Sequence, residues 1–317
     1  MLQLVLIGIG AGLAAALLFA APLSGSGVAF PLFALTGLPI AIAGIGWTLT
    51  AGIVAAVVGA GIVLLIFSPS AAAIFVLVFC LPLLWTIRFA ALSRPLDAAD
   101  PASPREWYPV GRLLLHLVLA AAAGIVVTGF VVGFDPARLA TQMVEGLSGW
   151  LADSGTGTPP GREQLEAFVR FNIAAMPVTV AILVVTVLVF DLWLGAVIAR
   201  MSGRATRPRD RIWTLSLPRE AIVGFGVAAL VAFLPGTAGE VARVFAGALG
   251  CAVAMVGLAV LHALTLGNAA RSFVLFGAYA LLFVFGFPIL LFALLGIAES
   301  AFHLRARRFG AAPPSAT

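Results

Sequence analysis

Apolar residues run through this chain in long unbroken stretches, and the charged ones gather in a few islands between them. The islands lie at 88–112, 135–170, 200–220 and in the tail after Glu299. Apolar runs of about 18 or more residues predict helices that cross a bilayer, since a helix satisfies its backbone hydrogen bonds within itself. The runs are continuous and do not alternate, which excludes a transmembrane β-barrel. Apolar segments are expected at 2–21, 30–46, 48–67, 71–90, 112–134, 165–200, 220–234, 240–264 and 272–302. Gly46-Trp47 makes a tight turn, and Pro235-Gly236 splits two of the segments.

The pattern predicts an all-α, polytopic transmembrane helical bundle of about 8–10 membrane segments. A single membrane domain would span 1–302, followed by an Arg-rich cytoplasmic tail at 303–317. The chain is apolar from Leu2 onward without a positive leading region, so the first segment is expected to be a retained helix and not a signal peptide.

Loop charge orients the bundle, because Arg-rich loops stay on the cytoplasmic side. Arg88, Arg94, Arg105 and Arg112 mark one such loop, spanning 91–111. Arg200, Arg204, Arg207, Arg209, Arg211 and Arg219 mark another, spanning 201–219. Arg305, Arg307 and Arg308 mark the tail. Counting back through four helices places the N-terminus inside as well. A single crossing by 272–302 would put the Arg-rich tail outside. Gly286-Phe287-Pro288 sits at the middle of that stretch, and Pro breaks a helix. A hairpin of two arms is therefore expected, each rising about 21–23 Å. The competing reading is one kinked, tilted helix.

The loop at 135–165 is expected outside. Leu139, Met143, Leu147, Trp150 and Leu151 fall on one helical face, which predicts an amphipathic helix over 136–151, either resting on the membrane or acting as a lid over a cavity mouth. Residues 154–161 read as a flexible link.

Composition sharpens this picture. The chain is 62% hydrophobic, against roughly 45–50% in a soluble domain. All 18 basic residues are Arg. Without Lys there is no phosphate-loop ATPase and no Schiff-base chemistry. The net charge of +5 flanks apolar spans and forms no aromatic-interleaved groove, which argues against nucleic acid. Cys80 and Cys251 lie within apolar runs and read as small buried hydrophobes. There is no HExxH and no paired-carboxylate motif, so no metal, cofactor or catalytic residue is expected. Gly146-Leu147-Ser148-Gly149 is superficially like a rhomboid protease motif, but the three His residues are placed near the opposite face, out of reach of Ser148.

Two constellations remain. Gly8, Gly12, Ala16 and Ala20 form a small-residue stripe on the first helix, and Gly52, Ala56 and Ala60 repeat it on the third. Such stripes let helices approach closely, either within the chain or as a docking face for another membrane subunit. The second is a set of ionisable residues inside apolar spans: Arg88, His116, Asp191, His262 and Glu299, with His303 just beyond. Such residues mark sites by default. The expected arrangement is an inner polar cluster centred on Asp191 with Arg88 or His262 as partner, serving as a structural ion pair or as a proton or ion relay. Few charges are left near the outer face, chiefly Arg170, Glu240 and Arg243, which argues there for a largely apolar solute.

At 38–61 the chain reads LPIAIAGIGWTLTAGIVAAVVGAG, a Pro-initiated short helix, a tight turn and a Gly-rich helix. At 279–308 it reads YALLFVFGFPILLFALLGIAESAFHLRARR, an apolar hairpin closed by Gly, an acidic residue and an Arg-rich stop. These segments resemble the YybS-like family of bacterial membrane proteins, which is distantly similar to the S components of energy-coupling-factor transporters. The resemblance implies a multi-pass protein of the bacterial inner membrane that binds a small solute and borrows its ATPase. It also implies a partner subunit docked on the stripe of the first helix. The competing expectation, from a different class, is a non-transporting membrane scaffold or assembly partner.

Overall fold

The computed structural model describes residues 1–97, 100, 103–154 and 161–309. The fold is nearly all-α. Its helices are α1 (Leu2–Phe19), α2 (Ala29–Phe33), α3 (Leu38–Gly46), α4 (Leu49–Ile66), α5 (Pro69–Ile74), α6 (Leu81–Ala90), α7 (Val110–Val132), α8 (Pro136–Ser154), α9 (Arg162–Met201), α10 (Arg219–Val231), α11 (Gly236–Leu264), α12 (Arg271–Phe285), α13 (Ile289–Phe302) and α14 (Leu304–Phe309). Among the described residues, seven helical stretches are long and apolar enough to cross a membrane. A short antiparallel ribbon pairs β1 (Ser93–Pro95) with β2 (Arg105–Trp107) where sequence predicts only a loop. Residues 155–160 of the expected link and 310–317 of the tail lie outside the described residues.

Prolines decide where the spans bend. Pro39 has no N–H to give the Leu35 carbonyl, so Leu38 N–H takes that acceptor in a tighter turn, at 3.1 Å. The predicted segment at 30–46 is therefore two helices, α2 and α3, separated at 34–37. Pro82 would press its ring on the carbonyl four residues back. A π-helical stretch at Phe75–Cys80 widens that turn and joins α5 to α6 as one continuous crossing. Gly286, with φ +67°, turns the chain between α12 and α13, so the stretch at 272–302 is two helices and not one.

Small residues set the closest contacts, as expected where lipid supplies no hydrophobic drive between helices. A Cβ on Gly8 would lie 2.6 Å from Val54 Cβ, and one on Gly12 would lie 2.9 Å from Val58 Cβ. A step of four along α1 thus matches a step of four along α4, so these two helices run parallel. Gly257 of α11 meets the Phe292 carbonyl, and Gly296 of α13 meets the Val253 carbonyl, leaving no room for a Cβ on either. The central core packs α6, α7, α9 and α11 around Leu83, Leu117, Val185 and Leu188.

The Arg-rich segments meet on one face of the molecule. The Arg207 guanidinium donates to the Tyr108 carbonyl at 2.9 Å and to the Ala90 carbonyl at 3.4 Å. Arg305 donates to the carbonyls of Trp213 and Leu215, both at 2.9 Å. Arg204 stacks on Trp47, 4.4 Å from the ring centroid, at the turn between α3 and α4. Because α4 starts at this face and α1 runs parallel to it, the first residues of the chain start here too.

Candidate functional site

The helix α9 is 40 residues long and ends at the Arg face. Its first turns therefore lie at the opposite end of the bundle. There the chain forms a cavity of about 500 Å³, bounded by α8, the start of α9 and the start of α11. Its apolar wall is Phe134, Val144, Ile173, Ala174 and Pro177. Its charged wall is Glu145, Arg162, Glu166, Arg170, Glu240 and Arg243. Arg170, Glu240 and Arg243, expected near the outer interface, converge in this wall with residues of the amphipathic loop that look scattered in sequence.

The electrostatics of the wall are uneven. Glu166 bridges Arg162 and Arg170, each at 3.1 Å and one helical turn away. Both Arg side chains are exposed and Glu166 is only half-buried, so the pairs position groups more than they stabilise the fold. Arg243 sits deeper and donates its Nε to the Ala232 carbonyl at 3.1 Å. Among the described residues no ion pair forms to Glu240.

Helix α8 covers one side of this cavity. Its docking stripe is Leu139, Ala140, Val144 and Leu147, packed on Leu165, Val169 and Ile173 of α9. The stripe is shifted from the predicted one. Met143 and Trp150 are exposed, because α9 meets α8 about one residue round from the sequence's apolar centre. Asp135 caps the helix by accepting from the Ala137 and Arg138 N–H groups at 3.0 and 3.2 Å. Ser148 points outward on α8 and donates to the Glu145 carbonyl at 2.8 Å, a bond within its own helix.

The intramembrane ionisable residues do not form the predicted cluster. His116 is held by Tyr108 Oη at 3.0 Å and Trp85 Nε1 at 3.4 Å, and stacks on Phe89. His262 contacts Tyr279 Oη at 2.9 Å, and its carbonyl accepts from Arg271 at 2.8 Å. Glu299 pairs with Arg305 at 2.8 Å. Arg88 is exposed, and His303 ends α13 in a left-handed conformation. Asp191 is fully buried and joined to neither Arg88 nor His262. Its Oδ2 instead accepts the Gly37 N–H at 3.0 Å. The residues are spread over separate helix pairs, and His116, His262, Glu299 and Asp191 each find a partner on a neighbouring element. The sequence signal for the Asp191 contact is the Gly37-Leu38-Pro39 break, which frees one N–H inside the bundle.

The stripe on α1 is also placed differently from a free docking face. Gly8, Gly12 and Ala16 are buried, Gly8 and Gly12 directly against α4 of the same chain, while Ala20 lies just beyond the helix end.

The fold and cavity define a polytopic helical membrane protein with an amphipathic helix docked over a charged pocket at one face. No protein-family model, no curated protein and no solved structure matches this chain.

Proposed function

We propose that this protein is a transporter-like, solute-binding membrane subunit of the YybS-like kind, which borrows its energy source from partner ATPases. In this reading it sits in the bacterial inner membrane with both termini cytoplasmic. The cavity at the far end from the Arg face carries the proposal, since a volume of about 500 Å³ matches a small-molecule site. The gathering of the three Arg-rich segments on one face supports the orientation, with the cavity opening outward. The cavity joins an apolar wall to a charged one, so the solute we infer has an apolar body and a polar end. Its polar end would meet Arg243, Arg170 and Glu240, and its body would lie against Ile173, Pro177 and Phe134. Helix α8 then serves as the lid. A partner subunit would use a surface other than the small-residue stripe of α1.

Native mass spectrometry of the protein released from lipid nanodiscs tests this directly. A retained small molecule is expected on the wild type and is lost in Ala174→Trp, which fills the cavity. A wild type that carries no adduct, or one that Ala174→Trp leaves unchanged, overturns the reading. Membrane-impermeant labelling of a Cys at position 3 and another in α8 checks the orientation, and equal reaction at both sites contradicts it.

A further inference from the structure

We propose that Asp191 is a proton-binding site inside the membrane, and that its proton occupancy controls how the half-helix α3 docks on α9. This goes beyond the solute reading and does not depend on it. Asp191 precedes Met201 by ten residues, and Gly37 precedes Trp47 by ten. At 1.5 Å per residue both lie about 15 Å below the Arg face, halfway through a hydrocarbon core of about 30 Å. The Asp191 side chain has no exposed surface. Its Oδ2 takes the N–H that the break before α3 sets free, 3.0 Å away. Its Oδ1 is buried and has no hydrogen-bond partner among the described residues.

That arrangement leaves the group one partner short. An ionised carboxylate there would rely on a single N–H and on the partial positive charge of the α3 N-terminus, about half an elementary charge. The surrounding elements add no counter-charge. The helix α3 has no titratable residue. On α6 Arg88 is exposed, on α7 Arg112 is exposed and His116 is held by Tyr108, and on α11 Cys251 is held near Thr186 and His262 by Tyr279. None of the ion pairs among the described residues includes Asp191. A metal ion is a poor fit, because no group of three or more His, Cys, Asp or Glu side chains is found among the described residues. A proton needs no set of metal ligands, adds almost no volume and removes the buried charge. A Cβ on Gly37 would lie 2.7 Å from Oδ2 and against Leu83 Cδ1, so little space is left for anything larger.

The chemistry is a simple exchange. The carboxylate takes one proton on Oδ1 and becomes a neutral acid, and the proton returns to water on release. The charged form attracts the N-terminus of α3 and the neutral form holds it less strongly. Docking of α3 on α9, and with it the turn at Trp47, thus follows protonation.

The test uses protein labelled with carbon-13 at the Asp side-chain carboxyl, in which Asp97, Asp100, Asp135, Asp153 and Asp210 are replaced by Asn. Asp191 is then the one labelled carboxyl, and its own chemistry is untouched. Infrared spectra are recorded in nanodiscs from acid to alkaline pH, with amide exchange of 36–41 followed in parallel and corrected by Asp191→Asn. The labelled band is expected to convert between carboxylate and carboxylic acid, and exchange at 36–41 should rise several-fold with the acid form. A band locked in either form over the range where the protein stays folded overturns the proposal. So does conversion without a change in exchange. If the five-fold Asn background fails to fold, the wild type and Asp191→Asn are compared by infrared difference, and spectra that superimpose at every pH overturn it equally.

Discussion

Replacing Arg305 by Ala should unfasten the end of the chain from the Arg face. Arg305 donates its Nε to Glu299 at 2.8 Å and also ties the Trp213 and Leu215 carbonyls at 2.9 Å each. The pair is largely shielded, with side-chain exposures of 15% and 11%. Removing one partner of a buried pair strands the other charge, which costs about 3–5 kcal/mol. The remaining exposure places Arg305→Ala near the lower end, about 3 kcal/mol. Glu299 also accepts the Arg305 backbone N–H at 3.1 Å, a bond that survives the truncation and keeps the loss from going higher. The double variant Glu299→Ala/Arg305→Ala strands no charge, so it should cost clearly less than the sum, with a coupling of about 1–3 kcal/mol. Reversible unfolding in mixed micelles reads all four proteins of the cycle. Costs that add to within about 0.5 kcal/mol would refute the ion pair as the fastening.

Three further outcomes follow from close contacts. Gly37→Ala places a methyl group against Asp191 Oδ2 and Leu83, and should lower stability by about 1–3 kcal/mol in the same assay; wild-type stability would mean that α3 and α9 are not this close. Gly257→Ala collides with the Phe292 carbonyl, so α13 must move off α11, and stability in the same assay should fall by about 1–3 kcal/mol; wild-type stability would contradict the contact. Arg207→Ala frees the Tyr108 and Ala90 carbonyls and the Asp210 carboxylate, with an expected cost of about 1–2 kcal/mol and faster proteolysis of both neighbouring loops. Proteolysis at the wild-type rate would show that these loops do not depend on it.

The hydropathy pattern alone determined that this is a bundle of membrane-length helices, and it located their ends to within a few residues. It also predicted the break at Gly286-Phe287-Pro288, where a glycine stands two residues before a residue without an N–H, whereas Pro177 lies inside the unbroken helix α9. The amphipathic helix over 136–151 was legible as well, since its periodicity is local. Partners were not legible. Asp191 was readable as a costly group in an apolar run, but its partner is a backbone N–H 154 residues away, exposed by a proline break on another helix. The proline break marks a free N–H near Gly37, but nothing local says which distant side chain will take it. The stripe of Gly8 and Gly12 announced a close contact, and only packing decided that α4 fills it. The cavity was the least visible feature. Its charged wall draws Glu145, Arg170 and Arg243 from three helices, which are neighbours only because α8 folds back on the first turns of the 40-residue α9 beside the start of α11. Local backbone chemistry is written residue by residue, whereas the pairing of distant groups is settled by which helix faces the fold brings together.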